Sequence, residues 1–166
     1  MSTAIVWLRS TLRVHDNPLL DWAHGSEEVD SVIPVFVLDT GRGMGEEGHI
    51  GPNRMRFLYD SLTDLDDRLR REYSARLLVL EGRPEEAIPL LVEELGSAGW
   101  LLCDYQADPK SRWQIGEIEE SVSEKGVRTK VFPSVSTILD IEESIAKPGF
   151  HAPKSSSDIG AIMGRN

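Results

Sequence analysis

Five short apolar runs alternate along the chain with segments whose apolar residues recur every three or four positions. Residues 4–8, 31–38, 76–80, 100–103 and 127–132 are rich in Val, Ile, Leu and aromatic residues and are bounded by turn formers, which predicts five strands. The last alternates and reads as less buried than the others. Pro34 lies inside the second run, a position that argues for a sheet edge or a bulge because proline lacks a ladder donor. Between the runs, helices are predicted at 18–23, closed by Gly25, and at 52–72, where Met55, Leu58, Leu62, Leu65 and Leu69 form one stripe. Two more follow. One begins at Pro84 with Ile88, Leu91 and Leu95 inward and ends at Gly96 and Gly99. The other runs from Pro109 to about Lys125, with Trp113, Ile118 and Val122 inward and Gly126 closing it.

Each helix starts on a proline: Pro18, Pro52, Pro84 or Pro109. Proline suits the first helical position, whose N–H has no partner in any case, and Asn17 and Asp108 can cap the free donors behind it. Glu85 and Glu86 sit favourably in a first turn, whereas Arg54 and Arg56, in the first turn of their helix with Asn53, place positive charge where the helix dipole opposes it. Such local conflicts are commoner at functional sites. The element order is β-α-β-α-β-α-β-α-β. Crossovers of this length make parallel strands, so the expected fold is α/β: a doubly wound, five-stranded, Rossmann-like parallel sheet with helices on both faces. One domain over residues 1–149 is expected, with 137–140 extended and 141–146 a short helix. Residues 150–166 read as a tail or a truncated interdomain linker.

Composition narrows the function classes. The chain has 166 residues and a formal net charge of −10, which disfavours stable binding to a phosphate backbone without help. A lone cysteine, Cys103, lies in an apolar run and reads as a buried, inert thiol. The first apolar run is broken by Arg9 too early for a signal peptide, and no run is long enough to span a bilayer; a cytoplasmic or nuclear protein is expected.

In an open parallel sheet, ligands sit outside the carboxyl ends of the strands. That edge would gather Arg9, Arg13, His15, Asp16, Asp39, Arg42, Asn53, Arg54, Arg83, Asp104, Tyr105, Gln106 and Asp108. The loop 39–51 carries five glycines, but it lacks the G-x-x-x-x-G-K-[ST] pattern, and it reads as a surface connection. No G-x-G-x-x-G follows the first strand, and no G-x-S-x-G, C-x-x-C or H-E-x-x-H occurs. His15 and Asp16 are neighbours that rarely aim at one atom, and no histidine has ligand spacing. The reading therefore assigns no catalytic and no metal-binding residue.

A resemblance does emerge. Trp7-Leu8-Arg9, Leu12 through Pro18 (Leu-Arg-Val-His-Asp-Asn-Pro), Val35 through Asp39, Gly51 through Leu58 with Ser61-Leu62 and Asp64-Leu65-Asp66, Gly82-Arg83-Pro84, and Asp104-Tyr105 with Asp108-Pro109 stand in the order of the motifs of the photolyase/cryptochrome family. The likeness covers roughly residues 4–145 and is nearest to animal cryptochromes and six-four photolyases. It implies an N-terminal α/β antenna domain. In the family this domain holds a light-harvesting deazaflavin, folate or flavin, or leaves the crevice empty; FAD, the tryptophan electron chain and the lesion pocket belong to a helical second domain. The 166 residues contain no such domain, so by this resemblance the chain alone is not a DNA repair enzyme, and FAD would enter only with a further C-terminal domain.

The same resemblance maps the antenna crevice onto Arg9, Leu38, Asp39, Asn53, Arg54, Gln106 and Asp108. Relatives often carry an acidic residue where Gln106 stands, and an aromatic residue and Gly where Lys110 and Ser111 stand. In circadian cryptochromes that region receives a transcription factor. Two functional readings follow: a blue-light photoreceptor domain with an antenna chromophore, and a chromophore-free module that meets a protein partner at the strand-exit edge in circadian or transcriptional regulation. A third, outside the resemblance, is an unrelated nucleotide-binding protein of the universal-stress type, against which the missing Gly-rich phosphate signature counts. Asp108 is either a site residue or only a helix cap.

Overall fold

The computed structural model describes residues 2–39, 51–106 and 108–132. Nine elements follow in order: β1 (Thr3–Trp7), α1 (Pro18–Gly25), β2 (Ser31–Asp39), α2 (Pro52–Tyr73), β3 (Leu78–Gly82), α3 (Pro84–Leu95), β4 (Ala98–Asp104), α4 (Pro109–Glu124) and β5 (Arg128–Phe132). The strands form one sheet in the order β3-β2-β1-β4-β5, and every pairing is parallel. The chain winds outward from β1 through β2 to β3, then crosses back and winds the other way through β4 to β5. Right-handed crossovers therefore put the first two helices on one face and the last two on the other. The packing agrees. Leu19, Ala23, Leu65 and Leu69 of α1 and α2 bury Ala4, Val6 and Leu102 from one side. Ile88, Leu91, Val92, Ile115, Ile118 and Val122 of α3 and α4 bury Ile5, Trp7, Val35, Val37, Leu101 and Cys103 from the other. This is the expected doubly wound α/β sheet.

Pro34 sits in an interior strand, paired with Val6. It is tolerated for a geometric reason. Val35 accepts from the Leu8 N–H, so Val35 faces β1 and the adjacent Pro34 faces the β3 side. There the ladder begins only at Val35 and Leu78, so Pro34 withholds no donor that β3 could use.

Three expectations need correction. The third strand begins at Leu78, two residues later than its apolar run, and ends at Gly82. Leu77 is held outside the ladder because its N–H donates to the Asp66 carboxylate of α2 at 2.9 Å. Gly25 is the last residue of α1, not a left-handed cap; the chain leaves through Ser26 in an extended conformation. Trp113 does not point inward: it is 53% exposed. At 3.6 residues per turn, Ser111, Ile115, Ile118 and Val122 share one stripe, and Trp113 lies about 200° round from Ile115. The residues read as 137–140 extended, 141–146 helix and a tail, and most of the glycine-rich loop, lie outside the described residues. Among the described residues no helix is long and apolar enough to cross a membrane.

The α2–β3 connection carries a pH-dependent tie. The Leu77 N–H, and after it the Arg70 guanidinium, hold the Asp66 carboxyl below its ordinary value of 3.8, against the opposing pull of burial. A depressed folded-state pKa contributes stability above the unfolded value and loses it as pH falls through the folded value. Asp66→Asn is therefore expected to cost about 1 kcal/mol at neutral pH. The deficit should shrink as the wild-type carboxylate is protonated. Urea unfolding of both proteins at neutral and acid pH checks this, and a deficit that does not change with pH would reduce Asp66 to a packing role.

Candidate functional site

The winding reverses between β1 and β4, and the crevice at their carboxyl ends is where an open α/β sheet of this topology takes its ligand. β1 delivers Leu8, Arg9 and Ser10 to this edge; β4 delivers Asp104, Tyr105 and Gln106. Their side chains meet. Ser10 Oγ donates to Asp104 Oδ2 at 2.9 Å, and Gln106 Nε2 donates to the same oxygen and to Ser10 Oγ at 2.9 Å. Asp104 is 2% exposed, yet its second carboxylate oxygen, Oδ1, is buried without a hydrogen-bond partner. A buried carboxylate normally fills its lone pairs with donors, so Oδ1 is an unmet acceptor at the switch point; it is closed off from solvent, and a donor from outside reaches it only when the exposed Ser10 or half-exposed Gln106 side chain turns aside. Arg9 is half-buried, with its guanidinium 4.5 Å above the Trp7 ring centroid; by strand alternation it follows Ile5 and Trp7 onto the α3/α4 side of this edge, the side away from Asp104.

The approach loop is rigidly built. Asn17 is fully buried; its Oδ1 accepts from the Leu19 N–H at 3.1 Å, and its Nδ2 donates to the Arg13 carbonyl at 2.9 Å. Arg13 in turn donates to the Asp16 carbonyl, and Asp16 takes a positive φ of 50°. His15 and Asp16 are exposed at this bend, where the chain turns back to start α1.

The sequence-predicted residues divide between the two sides of the sheet. Side chains alternate along a strand, so Asp39 follows Val35 and Val37 onto the α3/α4 face, while Asp104 follows Trp100 and Leu102 onto the α1/α2 face. By the same alternation the half-buried Leu38 faces the α1/α2 side. Asp39 meets Gln114 of α4, whose Nε2 donates to Asp39 Oδ2 at 3.2 Å and to Glu85 Oε2 at 3.1 Å. Asn53 and Arg54 are exposed in the first turn of α2, and no hydrogen bond among the described residues joins them to Asp39 or Gln106. Asp108 caps α4, accepting from the Ser111 N–H at 2.9 Å. The structure thus brings Gln106 together with Asp104 and Ser10, and sets Asp39 apart with Gln114 and Glu85.

Gln114, Ser10 and Glu85 are not among the residues that the sequence assigns to the strand-exit edge. Gln114 had a signal: it stands four residues before Ile118, in the inward stripe, where a polar side chain must find partners. Ser10 had none. Cys103, next to Asp104, is buried, and loss of solvent pushes its thiol up to about 12 despite the Arg9 cation. It stays a neutral thiol and takes no part in chemistry at the edge. Among the described residues no group of three or more His, Cys, Asp or Glu is placed to hold a metal ion.

A sequence profile of the DNA photolyase family matches residues 4–157. The chain is 33% identical to a (6-4)DNA photolyase of Arabidopsis thaliana over 98% of its own length and 30% of that protein's. It is 32% identical to Cryptochrome-1 of Sylvia borin over 98% of its length and 25% of that protein's. Among solved structures, an archaeal photolyase from Sulfolobus tokodaii, described with two FAD molecules and a novel light-harvesting cofactor, superposes with a TM-score of 0.61 at 28% identity, covering 78% of this chain and 29% of that one. A cryptochrome from Synechocystis sp. PCC6803 shares the fold with a TM-score of 0.71 at 24% identity, covering 80% of this chain and 27% of that one. The chain thus spans a quarter to a third of the length of these relatives. Matched from its first strand to beyond its last, it belongs to the DNA photolyase family and corresponds to the N-terminal α/β part of its members.

Proposed function

We propose that this chain is the antenna-type α/β domain of a photolyase- or cryptochrome-like blue-light receptor. Its crevice between β1 and β4 would bind a planar chromophore of the deazaflavin, folate or flavin class. The observation that carries the reading is the half-satisfied Asp104. A heteroaromatic N–H or a ring hydroxyl of such a ligand would supply the donor that Oδ1 lacks, reaching it as the exposed Ser10 side chain turns aside while Gln106 holds Oδ2. The residues present therefore fit the group. When bound, the chromophore supplies absorption in the near-ultraviolet to blue. The chain's own part is to bind the ring and orient it through Asp104. Family membership supports the light-harvesting role. Lesion repair and FAD chemistry are not assigned to these residues alone, and the net charge of −10 argues against nucleic-acid binding by them.

The test is direct. The purified protein is titrated with a deazaflavin, a folate and a flavin and followed by absorption and equilibrium dialysis. One of the three should bind in a single site, with a band that shifts on binding and returns to the free-ligand spectrum on unfolding. A protein that binds none of them fails the reading and leaves the strand-exit edge to a chromophore-free partner contact.

A further inference from the structure

β3 is an edge strand, and its face toward α3 is only partly covered. Leu78 and Leu80 pack against the α3/α4 core but stay half-buried. Beside them a groove of about 250 Å³ runs between β3 and α3, with Leu80, Ala87 and Leu91 in its lining. Its outer ridge is set by helical spacing: Glu86, Leu90 and Glu94 are four residues apart and so share one side of α3. Leu90 is 57% exposed there, with an acidic side chain one turn before and one turn after it. Glu81 of β3 also borders the groove, but by strand alternation its side chain turns with Val79 to the other face of the sheet. The lining holds one cation, Arg83, and it lies 3.8 Å from Glu86. The groove is therefore apolar in its floor and net negative at its rim, and it lies at the β3 edge, with β2 between it and the β1–β4 crevice.

From this we infer that the β3–α3 groove docks a cationic amphipathic segment of a partner protein, with leucine-like side chains seated against Leu80 and Leu90 and Lys or Arg side chains paired to Glu86 and Glu94. The charge pattern selects this occupant over the others. A second copy of the chain placed two-fold on this face would oppose like rims, and the chain already carries a net charge of −10. An anionic lipid surface would be repelled by the same carboxylates. The inference uses a different part of the molecule from the Asp104 crevice and stands or falls separately from it.

The probe is a fluorescein-labelled amphipathic peptide of leucine and lysine at helical spacing, with a matched leucine–glutamate peptide as control, read by fluorescence anisotropy. The lysine peptide is expected to bind with one-to-one stoichiometry and to weaken as salt is raised; the glutamate peptide is expected not to bind. Leu90→Ser, which changes no charge, and Glu94→Lys should each weaken binding about tenfold. Glu117→Lys, the same charge change at an exposed position of α4, should weaken it less than about twofold. Circular dichroism and thermal melting confirm that each variant is folded. Equal weakening by Glu94→Lys and Glu117→Lys would show nonspecific attraction to an acidic protein and overturn the inference. So would indifference to Leu90→Ser, or a concentration-dependent dimer that Leu90→Ser abolishes.

Discussion

Asn17→Ala is expected to lower the unfolding free energy by about 2–3 kcal/mol, well beyond the loss of one helix cap. Two groups lose their partner at once. The Leu19 N–H loses the oxygen that caps α1, worth about 1 kcal/mol in typical cases. The Arg13 carbonyl loses the Asn17 amide, and at a site with no exposed surface on Asn17 a replacement water is hard to place, which adds about 1–2 kcal/mol. For a chain of this size the melting temperature should fall by roughly 2–4 °C for each kcal/mol. Asn17→Ser restores a cap but not the second donor, so it should fall between the two. Asp108→Ala, which removes a cap at a less buried place, provides the comparison and should cost about 1 kcal/mol. Thermal melts of the four proteins check the order. A loss at Asn17 no larger than at Asp108 would mean that the Arg13 carbonyl finds water, and that the loop bearing Ser10 is not held from this side.

That loop shows how the sequence could be read and where the reading stopped. The strand, the Asn-Pro helix start and the helix periodicities are local signals, set by residue type within a few positions, and the alternating β-α order constrains the winding. The pleat of the sheet is equally local once a strand is placed. Yet the face on which Asp39 or Asp104 falls depends on which residues enter the core, and the motif-by-motif likeness placed Asp39 and Gln106 in one crevice. In the structure each has its own partners, Gln114 for Asp39 and Asp104 with Ser10 for Gln106. Trp113 illustrates the complementary limit. A large apolar residue invites an inward assignment, but the phase of α4 is fixed by Ser111, Ile115, Ile118 and Val122, and two of the inward positions, Ser111 and Gln114, are polar. Gln114 pays its desolvation through Asp39 and Glu85, partners 75 and 29 residues away, and such pairings have no local trace. The same holds for Ser10 and Asp104, which are 94 residues apart. Gln106 was conspicuous as a departure from the acidic residue frequent in relatives. In the folded chain its amide is a donor to Asp104, which an acidic side chain could not be while ionised.

Asp104→Leu is expected to separate the crevice's function from the fold's stability. Leucine branches at the same carbon as aspartate, is bulkier, and carries no charge; the exposed Ser10 and half-exposed Gln106 can turn aside to admit it. In the free protein Asp104 is a buried carboxylate with donors on one oxygen only, an arrangement whose desolvation is incompletely offset. Its removal leaves Ser10 exposed and Gln106 half-exposed, so both can turn to water. The unfolding free energy of Asp104→Leu should therefore match the wild type or exceed it by about 1 kcal/mol. Chromophore binding should move the opposite way. A hydrogen bond to a charged acceptor is worth about 1.5–3 kcal/mol, so the dissociation constant for the ligand that loads the wild-type crevice should rise roughly 10- to 100-fold. Melting curves and ligand titrations on the same preparations read both effects. A protein that gains stability while losing its ligand shows Asp104 retained for binding at a cost to the fold. A variant that loses several kcal/mol and keeps its affinity makes Asp104 a structural anchor for the β1 and β4 exit loops, and moves the ligand contact elsewhere along the strand-exit edge.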